Sequence, residues 1–280
     1  MIKTPEELRQ RIESCSASLV GKFEGKSGKR AIVLCGGTGC LSSNSKEIRE
    51  KFEDIIKERN LENKVSVNQV GCFGFCSQGP FVKIFPEDTL YRMVSLDDVE
   101  EIIEKDIIGG EIVERLLYVD PVTGEKVAKQ DDINFYKKQR RIALHGCGVI
   151  DPENIDEALG WGAYSGLAKA LTMDRQAVID EILASGLRGR GGGGFPTGRK
   201  WQFAYNQQND EKYVVCNGDE GDPGAFMDRS ILEGNPLSVI EGMVIAGYAI
   251  GAQNGYFYVR AEYPVAVHRL NVAIAQAKAE

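Results

Sequence analysis

Two cysteine pairs, each standing at the end of an apolar run, constrain this chain more than any other feature. Four residues separate Cys35 from Cys40, three separate Cys72 from Cys76, and 31 lie between the pairs. Arg30-Ala-Ile-Val-Leu34 ends directly on Cys35, which predicts a buried strand feeding a Gly-rich loop. Lys64 to Val70 alternates as a strand does and also ends on a Gly-Cys loop. Between them Ser45 can cap a helix in which Ile48, Phe52, Ile55 and Ile56 recur at helical spacing as far as Arg59. Four sulfur donors on two strand-end loops can converge on one small volume, which is what a thiolate-bound cluster needs. Pairs of this spacing also suit structural zinc, so spacing leaves both open. Neither pair is Cys-x-x-Cys, which disfavours a catalytic dithiol, and plant-type ferredoxin spacing is absent.

Phe81 to Phe85 and Leu90 to Val94 read as a hairpin, and Ser95 with Asp98 opens a helix whose Val99, Ile102 and Ile103 face inward. The order strand, helix, strand, strand, helix predicts a small α/β layer with both cysteine pairs at one end, closing at Gly109-Gly110. Tyr118 to Tyr136 is polar, carries Pro121 and Gly124 and lacks periodicity, as a linker does. The expected division is therefore a domain over 1–110, a linker over 111–136 and a second domain over 137–280.

The chain has 280 residues, 42% of them hydrophobic, enough for two domains of ordinary size. A formal charge of -7 argues against neutralising phosphate backbones, which needs clustered Lys and Arg, so no nucleic-acid partner is expected. No stretch approaches the roughly 18 uninterrupted apolar residues of a membrane span, and Met1 to Arg11 is mixed and charged rather than signal-like. These features predict a cytoplasmic protein. Its thiols stay reduced there, so the paired cysteines point to a metal or cluster rather than to disulfides. The isolated Cys15, Cys147 and Cys216 are expected to be small core residues, and His145 and His268 neither ligands nor bases.

In the second half, helices are predicted over Asp156 to Leu171 and Asp174 to Ala184, the latter stopping at Ser185-Gly186. Then follow a helix from Pro196, a strand Lys212 to Cys216, an acidic loop, a helix from Pro236, a strand Tyr256 to Glu262 and a helix from Pro264, an α/β alternation. Gly189-x-Gly191-x-x-Gly194 matches a dinucleotide fingerprint formally, but a helix ends just before it where a strand is required. A Walker loop fails too, because Arg199-Lys-Trp follows Gly198. Exposed amides, Arg188, Arg190, Lys200 and a helix N-terminus still make an anion site. Phe195, Trp201 and Phe203 beside the glycines speak against a floppy tether. In the loop from Cys216 to Arg229 the spacing of a calcium site breaks at Gly221 and Pro223. Asn217, Asp219 and Glu220 can read the polar edge of a flavin or form a solvated turn.

Cys-Gly-Gly-Thr-Gly-Cys at 35–40 with Gly-Cys-Phe-Gly-Phe-Cys-Ser-Gln-Gly-Pro at 71–80 resembles the thioredoxin-like [2Fe–2S] ferredoxin family. The resemblance implies that Cys35, Cys40, Cys72 and Cys76 ligate a [2Fe–2S] cluster. The glycine loop, the acidic loop and Tyr258-Val-Arg-Ala-Glu-Tyr-Pro264 resemble the flavin-binding subunit of NADH:quinone oxidoreductase and its soluble hydrogenase and formate dehydrogenase relatives, from about Tyr136 onward. The fold so implied is α/β: a thioredoxin-like [2Fe–2S] ferredoxin domain followed by an incomplete α/β FMN/NADH-binding domain. By motif, Gly189, Arg190, Gly191, Lys200, Asn217, Asp219 and Glu220 would hold FMN. Phe195, Lys200, Phe203, Asp222 and Glu262 would receive NAD(P)H, a carboxylate near the ribose tilting the choice toward NAD.

Ala261 stands where many relatives have glycine, and Asp222 replaces a common glutamate. Family members continue to a Cys-rich [4Fe–4S] segment whose ligands this sequence does not contain. The fusion of the two domains is similar to the flavin subunit of soluble NAD(P)-linked, electron-bifurcating [FeFe] hydrogenases. It implies a hydride passed between NAD(P)H and FMN, and single electrons passed to iron–sulfur clusters. The partners implied are a hydrogenase or formate dehydrogenase catalytic subunit, a small [2Fe–2S] subunit and ferredoxin. The rival reading is a module that only carries electrons or docks partner subunits.

Overall fold

The computed structural model describes residues 1–25, 28–222 and 224–280. The first element, α1 (Pro5–Phe23), begins on a Thr4 side chain that accepts from the Glu7 N–H at 3.1 Å. The buried strand β1 (Arg30–Cys35) leads through the short turn α2 (Thr38–Leu41) to α3 (Ser45–Glu58) and β2 (Val65–Val70). The capping position of α3 belongs to Asn44, in left-handed backbone at φ 64°, and not to Ser45 as the sequence suggests. The Ser45 hydroxyl donates instead to the Cys35 carbonyl at 2.5 Å, so it ties the helix start to the strand end.

β3 (Val82–Phe85) and β4 (Thr89–Tyr91) form the predicted hairpin. β1 pairs parallel with β2 and antiparallel with β3, giving the order β2-β1-β3-β4. Asp98 accepts from the Ser95 N–H and hydroxyl, both at 2.7 Å, and opens α4 (Asp98–Glu101), which continues as a π-helix over Ile102–Ile108. Ile32, Leu34, Ile48, Phe52, Ile84, Val99, Ile102 and Ile103 close the core between sheet and helices.

Residues 111–136, aperiodic in sequence, lie against this sheet. They include a two-stranded ribbon of β5 (Tyr118–Val119) and β6 (Lys126–Val127), followed by α5 (Asn134–Lys137). Val113, Leu116 and Leu117 join the sheet core, while Ile133 and Tyr136 pack at the cysteine end. Buried Tyr91 fixes the segment: its hydroxyl donates to Asp106 at 2.5 Å and accepts the Val113 N–H at 3.1 Å.

The predicted helix from Asp156 to Leu171 is two short ones, α6 (Ile155–Gly160) and α7 (Ser165–Ala170), because Gly162 at φ 102° and Tyr164 at φ 63° cannot continue a right-handed helix. Next come α8 (Arg175–Ala184), capped by Asp174, and α9 (Thr197–Tyr205). β7 (Tyr213–Gly218), α10 (Met227–Gly234), α11 (Pro236–Ile250), β8 (Asn254–Val259) and α12 (Pro264–Ala279) complete the alternation. β7 and β8 pair in parallel, with α10 and α11 in the crossover. α10 falls where a loop was expected, and its cap is remote, as described below. α1 crosses to this half, where Cys15 and Leu19 are buried against Ala158, Leu159 and Leu167. Among the described residues, no helix is long and apolar enough to cross a membrane.

Candidate functional site

The two parallel strands β1 and β2 end side by side, Cys35 opposite Val70, so both cysteine loops leave the same end of the sheet. Cys35 has Cys40 and Cys72 as thiol neighbours, and Cys72 has Cys35 and Cys76, the last pair at 3.8 Å. Cys35 and Cys40 are buried, Cys72 is half-buried and Cys76 exposed. Two glycines beside them leave no room for a side chain. A Cβ on Gly79 would stand 2.6 Å from Cys40 Sγ, and one on Gly37 2.8 Å from Cys72 Cβ. The Gly74 N–H points at Cys72 Sγ at 3.2 Å, a backbone donor of the kind that stabilises thiolate ligands.

The crowding has an electrostatic consequence. Cys40 pushes the Cys35 thiol up to about 12, with burial adding to it, and Cys35 pushes Cys72 up to about 11. Cys76 is raised above the ordinary thiol range by Cys72 and by burial, against a downward pull from Arg229. Thiols this close ionise together only when a cationic centre compensates their charge, and iron does that. The donor set, four sulfurs in a row with glycines at each close approach, fits a [2Fe–2S] cluster.

The Cys72–Cys76 loop is held from the second half of the chain. The Phe73 carbonyl accepts from the Tyr136 hydroxyl at 3.1 Å and from Arg141 at 2.6 Å. Gly71 lies directly on α10, where an added Cβ would come 2.6 Å from Gly234 Cα. Cys147, buried as expected, packs beside Gly234 with its thiol toward the Ser230 carbonyl at 3.8 Å. Cys15 is buried and Cys216 half-buried. His145 sits against the Ile142 carbonyl and stacks on Trp161, and His268 faces Glu153 at 3.5 Å on the surface.

The glycine-rich segment is a closed loop. The Gly189 N–H donates to Phe195 O and the Thr197 N–H to Leu187 O, both at 2.9 Å, leaving 190–194 as an open tip. A cleft of about 490 Å³ lies between this loop, α9, β7 and α11, and its walls include Gly189, Gly191, Phe195, Lys200, Tyr213 and Val215. That volume suits a nucleotide-sized ligand. Arg188, Arg190, Arg199 and Lys200 make no ion pair among the described residues, so four cations stand uncompensated around the N-terminus of α9. Phe195 and Phe203 are exposed, their rings tilted at 43° with centroids 6.2 Å apart, so each leaves aromatic surface open. These features fit a flavin phosphate or a nucleotide.

Asn217, Asp219, Glu220, Asp222 and Glu262 gather at the carboxyl ends of β7 and β8 rather than in that cleft, the edge where α/β sheets present ligand groups. Asn217, Asp219 and Asp222 are exposed, and Asn217 turns back to accept the Asp219 N–H at 3.0 Å. Pro223 lies outside the described residues. Glu220 is buried, and its carboxylate accepts from the N–H groups of Met227, Asp228 and Arg229 at 2.6, 2.8 and 3.1 Å. It is therefore the remote cap of α10. Burial works to raise Glu220, but those donors and the Tyr263 hydroxyl outweigh it and hold the carboxyl below its ordinary range. Arg260 bonds the Glu220 carbonyl and pairs with Glu262 at 3.0 Å, which lowers Glu262.

Sequence reading missed the residues that join the halves. Glu233, 1% exposed, accepts from the Thr38 hydroxyl at 2.5 Å and the Thr38 N–H at 3.0 Å, and Arg269 donates to the Glu233 carbonyl at 2.6 Å. A glutamate and an arginine in helical sequence look like surface residues, and only long-range packing buries them.

Residues 23–106 match the family model of the thioredoxin-like [2Fe-2S] ferredoxin, and residues 182–280 that of the Nuo51 FMN-binding domain. A thioredoxin-like [2Fe–2S] ferredoxin of known structure from Aquifex aeolicus is 31% identical over 31% of this chain and 88% of its own, with a TM-score of 0.30. The NADP-reducing hydrogenase subunit HndC of Solidesulfovibrio fructosivorans is 58% identical over 51% of this chain. The NAD-reducing hydrogenase HoxS subunit alpha of Cupriavidus necator is 50% identical over 85% of it. The chain spans 29% of the length of HndC and 38% of that of the HoxS subunit.

Proposed function

Because the chain belongs to the thioredoxin-like [2Fe–2S] ferredoxin family through residues 23–106 and carries an Nuo51 FMN-binding domain over 182–280, we propose that it is the flavin and iron–sulfur part of a soluble NAD(P)-linked hydrogenase, exchanging hydride with NAD(P)H and single electrons with iron–sulfur clusters. The observation that carries this reading is the packing of the four-cysteine loops directly on α10, the helix whose cap is the acidic loop of the FMN-binding segment. Two hydrogenase subunits, 58% and 50% identical to the chain, support the hydrogenase reading.

In this reading Cys35, Cys40, Cys72 and Cys76 hold the [2Fe–2S] cluster. FMN, when bound, supplies the exchange between two-electron and one-electron chemistry. The amides of Gly189 and Gly191 with Arg190 and Lys200 bind its phosphate, and Asn217 and Asp219 meet its polar edge. Glu220 serves by holding the acidic loop to α10. Phe195 and Phe203 stack the dinucleotide, while Asp222 and Glu262 accept from its ribose hydroxyls. The work of these residues is positioning, since the chemistry belongs to the cofactors. We place the protein in the cytoplasm with a hydrogenase catalytic subunit, a small [2Fe–2S] subunit and ferredoxin as partners, an assembly suited to electron bifurcation.

The test is anaerobic titration of the isolated protein with NADH and NADPH. The expected result is bleaching of flavin absorption followed by bleaching of the iron–sulfur bands. Arg190→Ala combined with Lys200→Ala is expected to weaken FMN binding at least tenfold while leaving the cluster bands. A cluster spectrum with no flavin and no response to either nucleotide would leave only an electron carrier.

A further inference from the structure

The contact between the cysteine loops and α10 contains a charge that the proposed chemistry does not use. Glu233 is almost fully buried, and both its oxygens face Thr38, which lies between Cys35 and Cys40. The nearest cation is Arg229, at 3.8 Å and without hydrogen-bond geometry; its Nε is buried with no partner. The Arg229 guanidinium instead packs over the Phe226 ring at 3.8 Å, in the same joint as Glu233. Arg269, the other cation nearby, donates to the Glu233 main-chain carbonyl and pairs with Glu153. Glu233 thus meets neutral donors from the cluster loop and only a loose ion pair. A buried carboxylate in such a setting is costly, and a site of pure adhesion would be served as well by a neutral amide.

We propose that Glu233 is a positioning residue that docks the Cys35–Cys40 loop on α10 and, as a negative charge beside it, holds down the reduction potential of the cluster, with Arg229, the cation 3.8 Å from it, acting in the opposite sense. The proposal rests on the reading that the four cysteines hold a [2Fe–2S] cluster. The physics is the cost of adding an electron next to an anion in a medium that screens poorly, and the gain from adding one next to a cation. Thr38 couples the two roles, because its hydroxyl and N–H both orient the loop and partly neutralise the carboxylate.

The experiment is an electrochemical titration of the full chain, with the reduced cluster followed by its paramagnetic signal, in the unaltered protein, Glu233→Gln and Arg229→Gln. Glutamine preserves the shape and keeps the joint to Thr38, its Oε1 accepting the Thr38 N–H while its Nε2 donates to the Thr38 hydroxyl. Glu233→Gln is expected to shift the reduction equilibrium about tenfold toward the reduced cluster, about 59 mV for one electron, and Arg229→Gln to shift it the other way. Shifts of the same sign, as mere loosening of the joint produces, overturn the proposal, as do shifts below about twofold in both variants. If Glu233→Gln does not fold with its cluster, Thr38→Val takes its place: loss of one donor leaves the carboxylate less neutralised, so the potential falls, and an unchanged or higher potential overturns the proposal. An unaltered protein with no cluster overturns the underlying reading as well, whereas a cluster with unmoved potentials overturns only this inference.

Discussion

Glu220 shows how one side chain can bind two parts of the site. Its carboxylate serves three amides at the start of α10, and the Tyr263 hydroxyl reaches it at 3.2 Å. Capping of this kind is worth about 1 kcal/mol, so Glu220→Gln is expected to lower the stability of the folded chain by about that amount, measured by chemical unfolding at neutral pH. The pH dependence follows from the sign of the shift. A carboxyl held below its ordinary value of 4.5 contributes its stabilisation above that pH and loses it as pH falls through the lower folded value. The gap between the unaltered protein and Glu220→Gln should be constant above about pH 5 and close below the ordinary carboxyl range. A gap that stays open in acid contradicts the capping role. The residue was visible in the sequence as a polar group at a strand end, but its three donors were not, because they come from a helix that the sequence did not announce.

That helix, α10, marks the limit of reading elements from sequence. β1, β2, α3, α11 and α12 were legible because apolar side chains recur along them at the period of their own geometry. α10 has eight residues, follows a run rich in Gly and Asp, and is stabilised by a cap seven residues before its first turn, so no local signal marks its start. Residues 111–136 escaped for a related reason: Val113, Leu116, Leu117, Ile133 and Tyr136 are buried at irregular spacing. The sequence also hid how α10 meets the cysteine loops, which depends on two glycines far apart in the chain. Gly71→Val would drive a side chain into the Gly234 backbone, where an added Cβ finds only 2.6 Å. Overpacking of this kind costs about 1–3 kcal/mol. Amide exchange at Thr38 should quicken as the loop leaves α10, while the protected amides of β1 and β3 remain slow. Unchanged exchange at Thr38 contradicts the tight joint.

Over the whole molecule, the motifs pointed to two candidate sites but not to the surface between them. Two cysteine loops at one sheet end and a glycine loop beside cations were legible from residue type and spacing. The buried polar joint of Thr38, Glu233 and Arg269 depends on how the two halves pack, and periodicity carries no information about that. Whether the four thiols hold a two-iron cluster against the FMN-binding segment is decided by metal and acid-labile sulfide analysis of the anaerobically isolated protein, joined to the spectrum of its reduced state. Iron and sulfide are expected in equal amounts, two of each per chain, with a paramagnetic signal on one-electron reduction that Cys35→Ser or Cys72→Ser alters. One zinc per chain, with no sulfide and no colour, would contradict a two-iron cluster.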